Sequence, residues 1–114
     1  MVESILTSIK GYLGIDAMAT NFDTDLIMHI NSALMSLQQL GVGSTTGFSI
    51  ASENEVWADL LGDRIDLDGA KMYLGFKVRL SFDPPQNGFL VDAIKNQISE
   101  LEFRLNVQAE GGPF

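Results

Sequence analysis

The stretch KMYLGFKVRLSFDPP, residues 71–85, restricts the fold of this chain more than any other. From Leu74 to Phe82 the residues alternate strictly, with Leu74, Phe76, Val78, Leu80 and Phe82 separated by Gly75, Lys77, Arg79 and Ser81. That is the template of a half-buried strand. A strand without a neighbour, however, leaves its backbone donors and acceptors unpaired. The remaining sequence offers only Phe48 to Ile50 and the C-terminal tail as extended candidates, and Val78 is the one β-branched residue between Lys71 and Phe82. Strand propensity is correspondingly poor.

Wound as a helix from Asp66, the same residues present two apolar faces. Met72, Tyr73, Phe76 and Leu80 form one, Ala70, Leu74, Val78 and Phe82 the other, and Lys71, Gly75 and Arg79 share a strip between them. A helix apolar nearly all round is buried on several sides. In a small domain it is either the central helix of the core or a helix whose second face meets a neighbouring subunit. Asp83-Pro84-Pro85 ends it, because proline disfavours helical geometry in the residue before it.

Once this segment is helical, the expected fold is all-α: a bundle of about five helices at approximately 3–13, 24–40, 53–61, 67–82 and 87–106. Ile5, Leu6, Ile9, Tyr12 and Leu13 form the stripe of the first, which Gly14 stops. Asp23 is the expected cap of the second, with Phe22 packing on Ile27, and Gly41 closes it. Ser52 and Glu55 have capping-box spacing for the third, whose Trp57, Leu60 or Leu61 face inward and which Gly62 ends. Asp66 is the expected cap of the fourth. Asp83 and Asn87 are alternative starts for the fifth, whose seam is Leu90, Ile94, Ile98, Leu101 and Leu105, with Glu100 and Arg104 paired outside it. Residues 1–108 then form one domain, with a flexible tail at 109–114.

Several kinds of chemistry are disfavoured. The chain has no cysteine, which removes disulfides and thiolate sites. Glycine-rich residues 41–50 lack the Gly-Lys-Ser/Thr of a phosphate loop. The acids at 63, 66 and 68 miss both terminal carboxylates of an EF-hand loop. The single histidine, His29, lies mid-helix with no spacing that suggests a nucleophile and an orienting acid. An enzyme is therefore not expected, and no cofactor or metal. No apolar run approaches the ~20 residues of a membrane span, and the first residues lack the pattern of a secretory signal, so a cytosolic origin is expected. Fifteen acids against seven bases, a formal net charge of −8, oppose binding to a phosphate backbone.

The ordered segments ILTSIKGYLGID, FDTDLIMHINSALMSLQQLGVG, GFSI, KMYLGFKVRLSFDPP and ISELEFRLNVQAE together resemble the small helical head-tail connector (head-completion, neck adaptor) proteins of long-tailed bacteriophages and prophages. KVRLSFDPP followed by a long amphipathic helix ending in LEFRLN is the most distinctive part. The resemblance implies an all-α fold and a homo-oligomeric ring beneath the twelve-fold portal vertex. Its implied partners are the portal protein above and a stopper or tail-completion protein below, and DNA passes through without sequence-specific binding. It also implies residence in the virion neck, after assembly in the host cytoplasm. A twelve-subunit ring would carry on the order of −100 formal charges, suited to a channel that releases DNA freely.

A ring needs surplus contact surface on two different sides of each subunit. Lys71, Tyr73, Leu74, Phe76, Lys77, Val78, Arg79 and Phe82 are the subunit-interface candidates, with Asp59, Asp63 or Glu100 as acids for their bases. Glu110, Pro113 and Phe114 are candidates for anchoring the tail on the portal or a neighbour, and Gly43, Gly47 and Phe48 for contact through the loop. A small acidic inhibitor that mimics DNA, or a generic helical interaction domain, would also fit the composition. Mimicry, though, needs carboxylates arrayed along one face, and here they sit largely at helix starts and in loops.

Overall fold

The computed structural model describes residues 3–43, 47–62 and 69–109. They form five helices: α1 Ile5–Tyr12, α2 Asp23–Gln39, α3 Trp57–Leu61, α4 Gly69–Phe82 and α5 Gly88–Ala109. The alternating segment is α4, and it is the central helix of the bundle: α2 and α5 pack along it, and α1 covers part of what remains. Ala70, Tyr73, Leu74 and Val78 have no solvent exposure at all. Both apolar faces are thereby used largely within the subunit. Among the described residues there is no strand, only a single antiparallel bridge between Ser4 and Val56.

Glycine stops α1 and α2 in the same way. Gly14 and Gly41 have φ of +79° and +94°, a region closed to most side chains. In each case the glycine N–H and the next N–H turn back to helix carbonyls: Gly14 to Gly11 and Ile15 to Lys10, Gly41 to Gln38 and Val42 to Leu37. This is the Schellman pattern. Its usual apolar clasp is present at α2, where Val42 and Leu37 are both buried.

Helix starts depart further from expectation. At α1 the cap is Ser4, whose Oγ accepts from the Thr7 N–H at 3.2 Å. Asp23 is the first residue of α2 rather than its cap. Its carboxylate is engaged by Lys10, which is 3% exposed and places Nζ 2.9 Å from Asp23 Oδ1 and 3.1 Å from the Ala17 carbonyl. Pairing with a buried ammonium outweighs an exposed capping bond.

The third helix also starts later than its pattern suggests, at Trp57 instead of residue 53. Glu55 does accept from the N–H groups of Ala51 and Ser52, but the bonds close a turn. Backbone pairing with the start of the chain holds the next residues extended: Ile5 N–H donates to Glu55 O at 3.0 Å and Trp57 N–H to Glu3 O at 3.2 Å. Trp57, Leu60 and Leu61 are all buried. The expected Asp66 cap and the acids at 63, 66 and 68 fall outside the described residues.

Of the two starts considered for α5, Asn87 is the one used, its Oδ1 accepting from Phe89 N–H at 2.8 Å. The helix runs to Ala109, three residues beyond the expected 106, because its last turn has something to pack on. Asn106 Nδ2 donates to the Leu40 carbonyl at 3.1 Å, and Leu105 is buried. Phe48 to Ile50 forms no regular strand. Instead the Asn31 side chain acts as the missing partner, accepting from Ile50 N–H at 2.8 Å and donating to Ile50 O at 3.0 Å.

Two measurements check these points. Asn31→Ala leaves both polar groups of a buried Ile50 backbone without that partner, and is expected to lower unfolding free energy by about 2 kcal/mol in urea titration. Burial pushes the Tyr73 hydroxyl well above its ordinary pKa of 10.0, and its bond to Glu102 Oε2 at 2.9 Å raises it further. A folded-state pKa above the unfolded one stabilises the protonated form, so this contribution is intact below pH ~10 and lost as pH rises above it. Stability followed by the fluorescence of Trp57, the single tryptophan, should fall above pH ~10, and the fall should be shallower in Tyr73→Phe.

Candidate functional site

The interface candidates on α4 divide by position. Tyr73, Leu74 and Val78 lie in the subunit's own core; a neighbour could reach them only if α1, α2 or α5 moved away. Lys71, Phe76, Lys77, Arg79 and Phe82 are partly exposed. Phe76 meets the Tyr12 ring edge to face at 6.0 Å, and Phe82 sits between Phe22 and His29, each 5.7 Å away. Gly75 makes the first contact feasible: a Cβ there would lie 3.1 Å from Tyr12 Cδ2. Burial raises the Tyr12 pKa, and the Arg79 guanidinium opposes that shift.

Two of the acids expected opposite these bases, Asp59 and Glu100, have other partners inside the subunit. Lys71 Nζ lies 3.5 Å from Glu3 Oε1 and 5.8 Å over the Trp57 ring. Glu100 pairs with Arg104, and Asp59 Oδ2 accepts from Val56 N–H at 2.9 Å. Asp63 lies outside the described residues, as do Glu110, Pro113 and Phe114. In the loop, Gly43 and Gly47 have φ of +97° and +99°, and a Cβ on Gly43 would lie 3.0 Å from Leu60 Cδ1. Phe48 is half-buried against the core. Close packing thus holds the described ends of this loop.

Two surfaces escape a reading of the sequence. One is a groove of about 520 Å³ between α2, α4 and α5. Its floor includes Ala33, Leu80 and Ile98, and its walls carry His29, Lys77 and Lys95, with serine hydroxyls and no carboxylate between them. These residues come from three helices, so no local spacing announces them. The other is the start of α5. Phe89 is 86% exposed and Leu90 54% exposed, while the buried residues of the helix, Ile98 and Leu105, lie from its middle onward. Leu90 belongs to the expected seam, but the bundle does not extend far enough to cover it.

Among the described residues no cluster of histidine and carboxylate groups could hold a metal ion, and no helix is long and apolar enough to cross a membrane. What the surface offers is contact: an aromatic helix start, a basic groove and a packed loop on a rigid helical frame. Such a frame defines an all-α structural subunit. The phage connector protein family matches residues 5–112, nearly the whole chain, and the protein belongs to that family. It is a family of structural proteins. No curated protein and no solved structure matches the chain.

Division of the apolar side chains into core and surface members has a direct test. Leu74→Ala should cost about 2–5 kcal/mol in urea unfolding monitored by circular dichroism. Phe89→Ser, at an exposed position, should stay within about 0.5 kcal/mol of the parent protein.

Proposed function

We propose that this connector-family chain is a neck protein that assembles as a ring beneath the portal vertex, joins the DNA-filled head to the tail and lines the DNA channel. The family match over residues 5–112 carries this reading. Its partners are then further copies of itself, twelve in the virion, the portal protein above and a stopper or tail-completion protein below. It works in the virion neck after assembly in the host cytoplasm, and its role is mechanical, with no catalytic step.

The surface supports the reading in two ways. Exposed apolar side chains occur on separate helices, among them Met28 and Met35 on α2 and Phe89 and Leu90 on α5. Heterologous ring contacts need two different patches of this kind. The acidic balance of −8 per chain would keep DNA from adhering as it slides through. Lys71, Phe76, Lys77, Arg79 and Phe82 stay as α4 contributions to a subunit contact. Gly43, Gly47 and Phe48 would supply a loop contact with the next neck protein or the lumen. Glu110, Pro113 and Phe114 would anchor the tail on the portal or a neighbour.

Solution mass by light scattering, for the protein alone and mixed with a portal ring from the same phage, tests this. A ring-sized species, or co-migration with the portal, is the expected result. A monomer under both conditions would overturn ring assembly and leave the fold untouched.

A further inference from the structure

The groove between α2, α4 and α5 is unusual in a chain with more than twice as many acids as bases. Two of the seven cationic side chains, Lys77 and Lys95, and the single histidine line it together, without a carboxylate. Three other bases are occupied: Lys10 by Asp23, Lys71 by Glu3, Arg104 by Glu100. Lys77 only approaches the Tyr73 ring, at 5.9 Å, and among the described residues no ion pair engages it or Lys95. An apolar floor beneath two ammonium groups is suited to a ligand with an apolar body and a carboxylate. Its volume of about 520 Å³ lies in the range of roughly 300–1,000 Å³ typical of clefts that enclose a ligand.

The same chain presents that ligand. At the start of α5 Phe89 stands almost free of the subunit, and Asp92, three residues on, lies on the same side of the helix. Among the described residues Asp92 has no ion-pair partner. We propose that the groove lined by His29, Lys77 and Lys95 receives the Phe89–Asp92 turn of a second copy of this chain. The Phe89 ring covers Ala33, Leu80 and Ile98, and the Asp92 carboxylate meets the two lysines. The inference rests on the self-assembly proposed above and specifies its contact. Groove and turn share no lining residue, so every copy can offer both, and a heterologous contact of this kind makes a ring where the rotation between copies closes. DNA is the weaker candidate for the groove, because the rest of the surface repels phosphate.

Charge exchange tests the contact. One variant carries Lys77→Glu with Lys95→Glu, the other Asp92→Lys, and circular dichroism confirms that each is folded. Light scattering follows each variant, their equimolar mixture and the parent protein, alone and on a portal ring. The expected result is loss of the assembled species in either variant by itself and its return in the mixture, where each altered groove finds an oppositely charged turn. Parent and single variants assembling equally well would overturn the contact and leave the ring standing. Recovery of only a dimer in the mixture would uphold the contact and overturn the ring. A parent that remains monomeric under both conditions would overturn both.

Discussion

Helix α4 is held on three sides, and the places where other helices touch it are set by how closely they can approach. At Gly75 the absent side chain lets the Tyr12 ring lie where a Cβ would meet it at 3.1 Å, which brings α1 onto α4. At Gly69 the corresponding distance to Leu101 is 3.5 Å, an ordinary contact that sets α5 close along the other side. Interiors are packed at crystal-like density, so a central helix with such contacts keeps Ala70, Tyr73, Leu74 and Val78 wholly inside the subunit. Capacity to bind a partner is therefore displaced from the middle of α4 to its flanks. The groove beside Lys77 and the uncovered start of α5 lie where the bundle stops covering its own helices.

The helical fold was legible because it followed from a count of available strand partners, a global property that one sequence contains. Helix stops at Gly14, Gly41 and Gly62 were legible for the opposite reason: positive φ is a local requirement that glycine alone meets easily. The starts of α2 and α3 were not, because long-range partners compete for the capping groups. Lys10 takes the Asp23 carboxylate from thirteen residues away. Pairing of Glu3 and Ile5 with Trp57 and Glu55 keeps Val56 extended just before α3 in spite of the Ser52 and Glu55 spacing. Two apolar faces on α4 show that it is surrounded without showing by what, so Tyr73, Leu74 and Val78 read equally as core and as interface. His29, Lys77 and Lys95 converge only after three helices are packed.

Charge explains why contact and repulsion coexist in such a subunit. Fifteen acids spread over the chain make any two copies repel at long range, yet that force is screened over about 8 Å at physiological ionic strength. A carboxylate seated against two ammonium groups over an apolar floor acts at contact distance, where screening is much weaker. The proposed groove contact and the acidic surface thus work on different length scales. Subunits would be kept apart until something holds them at the right spacing, and once there the short-range pairing decides. On the proposed reading a portal ring would supply that spacing by raising the local concentration of neighbours, in the same way that linking two modules turns a weak second contact into an effectively intramolecular one. A weak, local and heterologous contact on an otherwise repulsive subunit would therefore favour assembly at the neck over assembly in free solution.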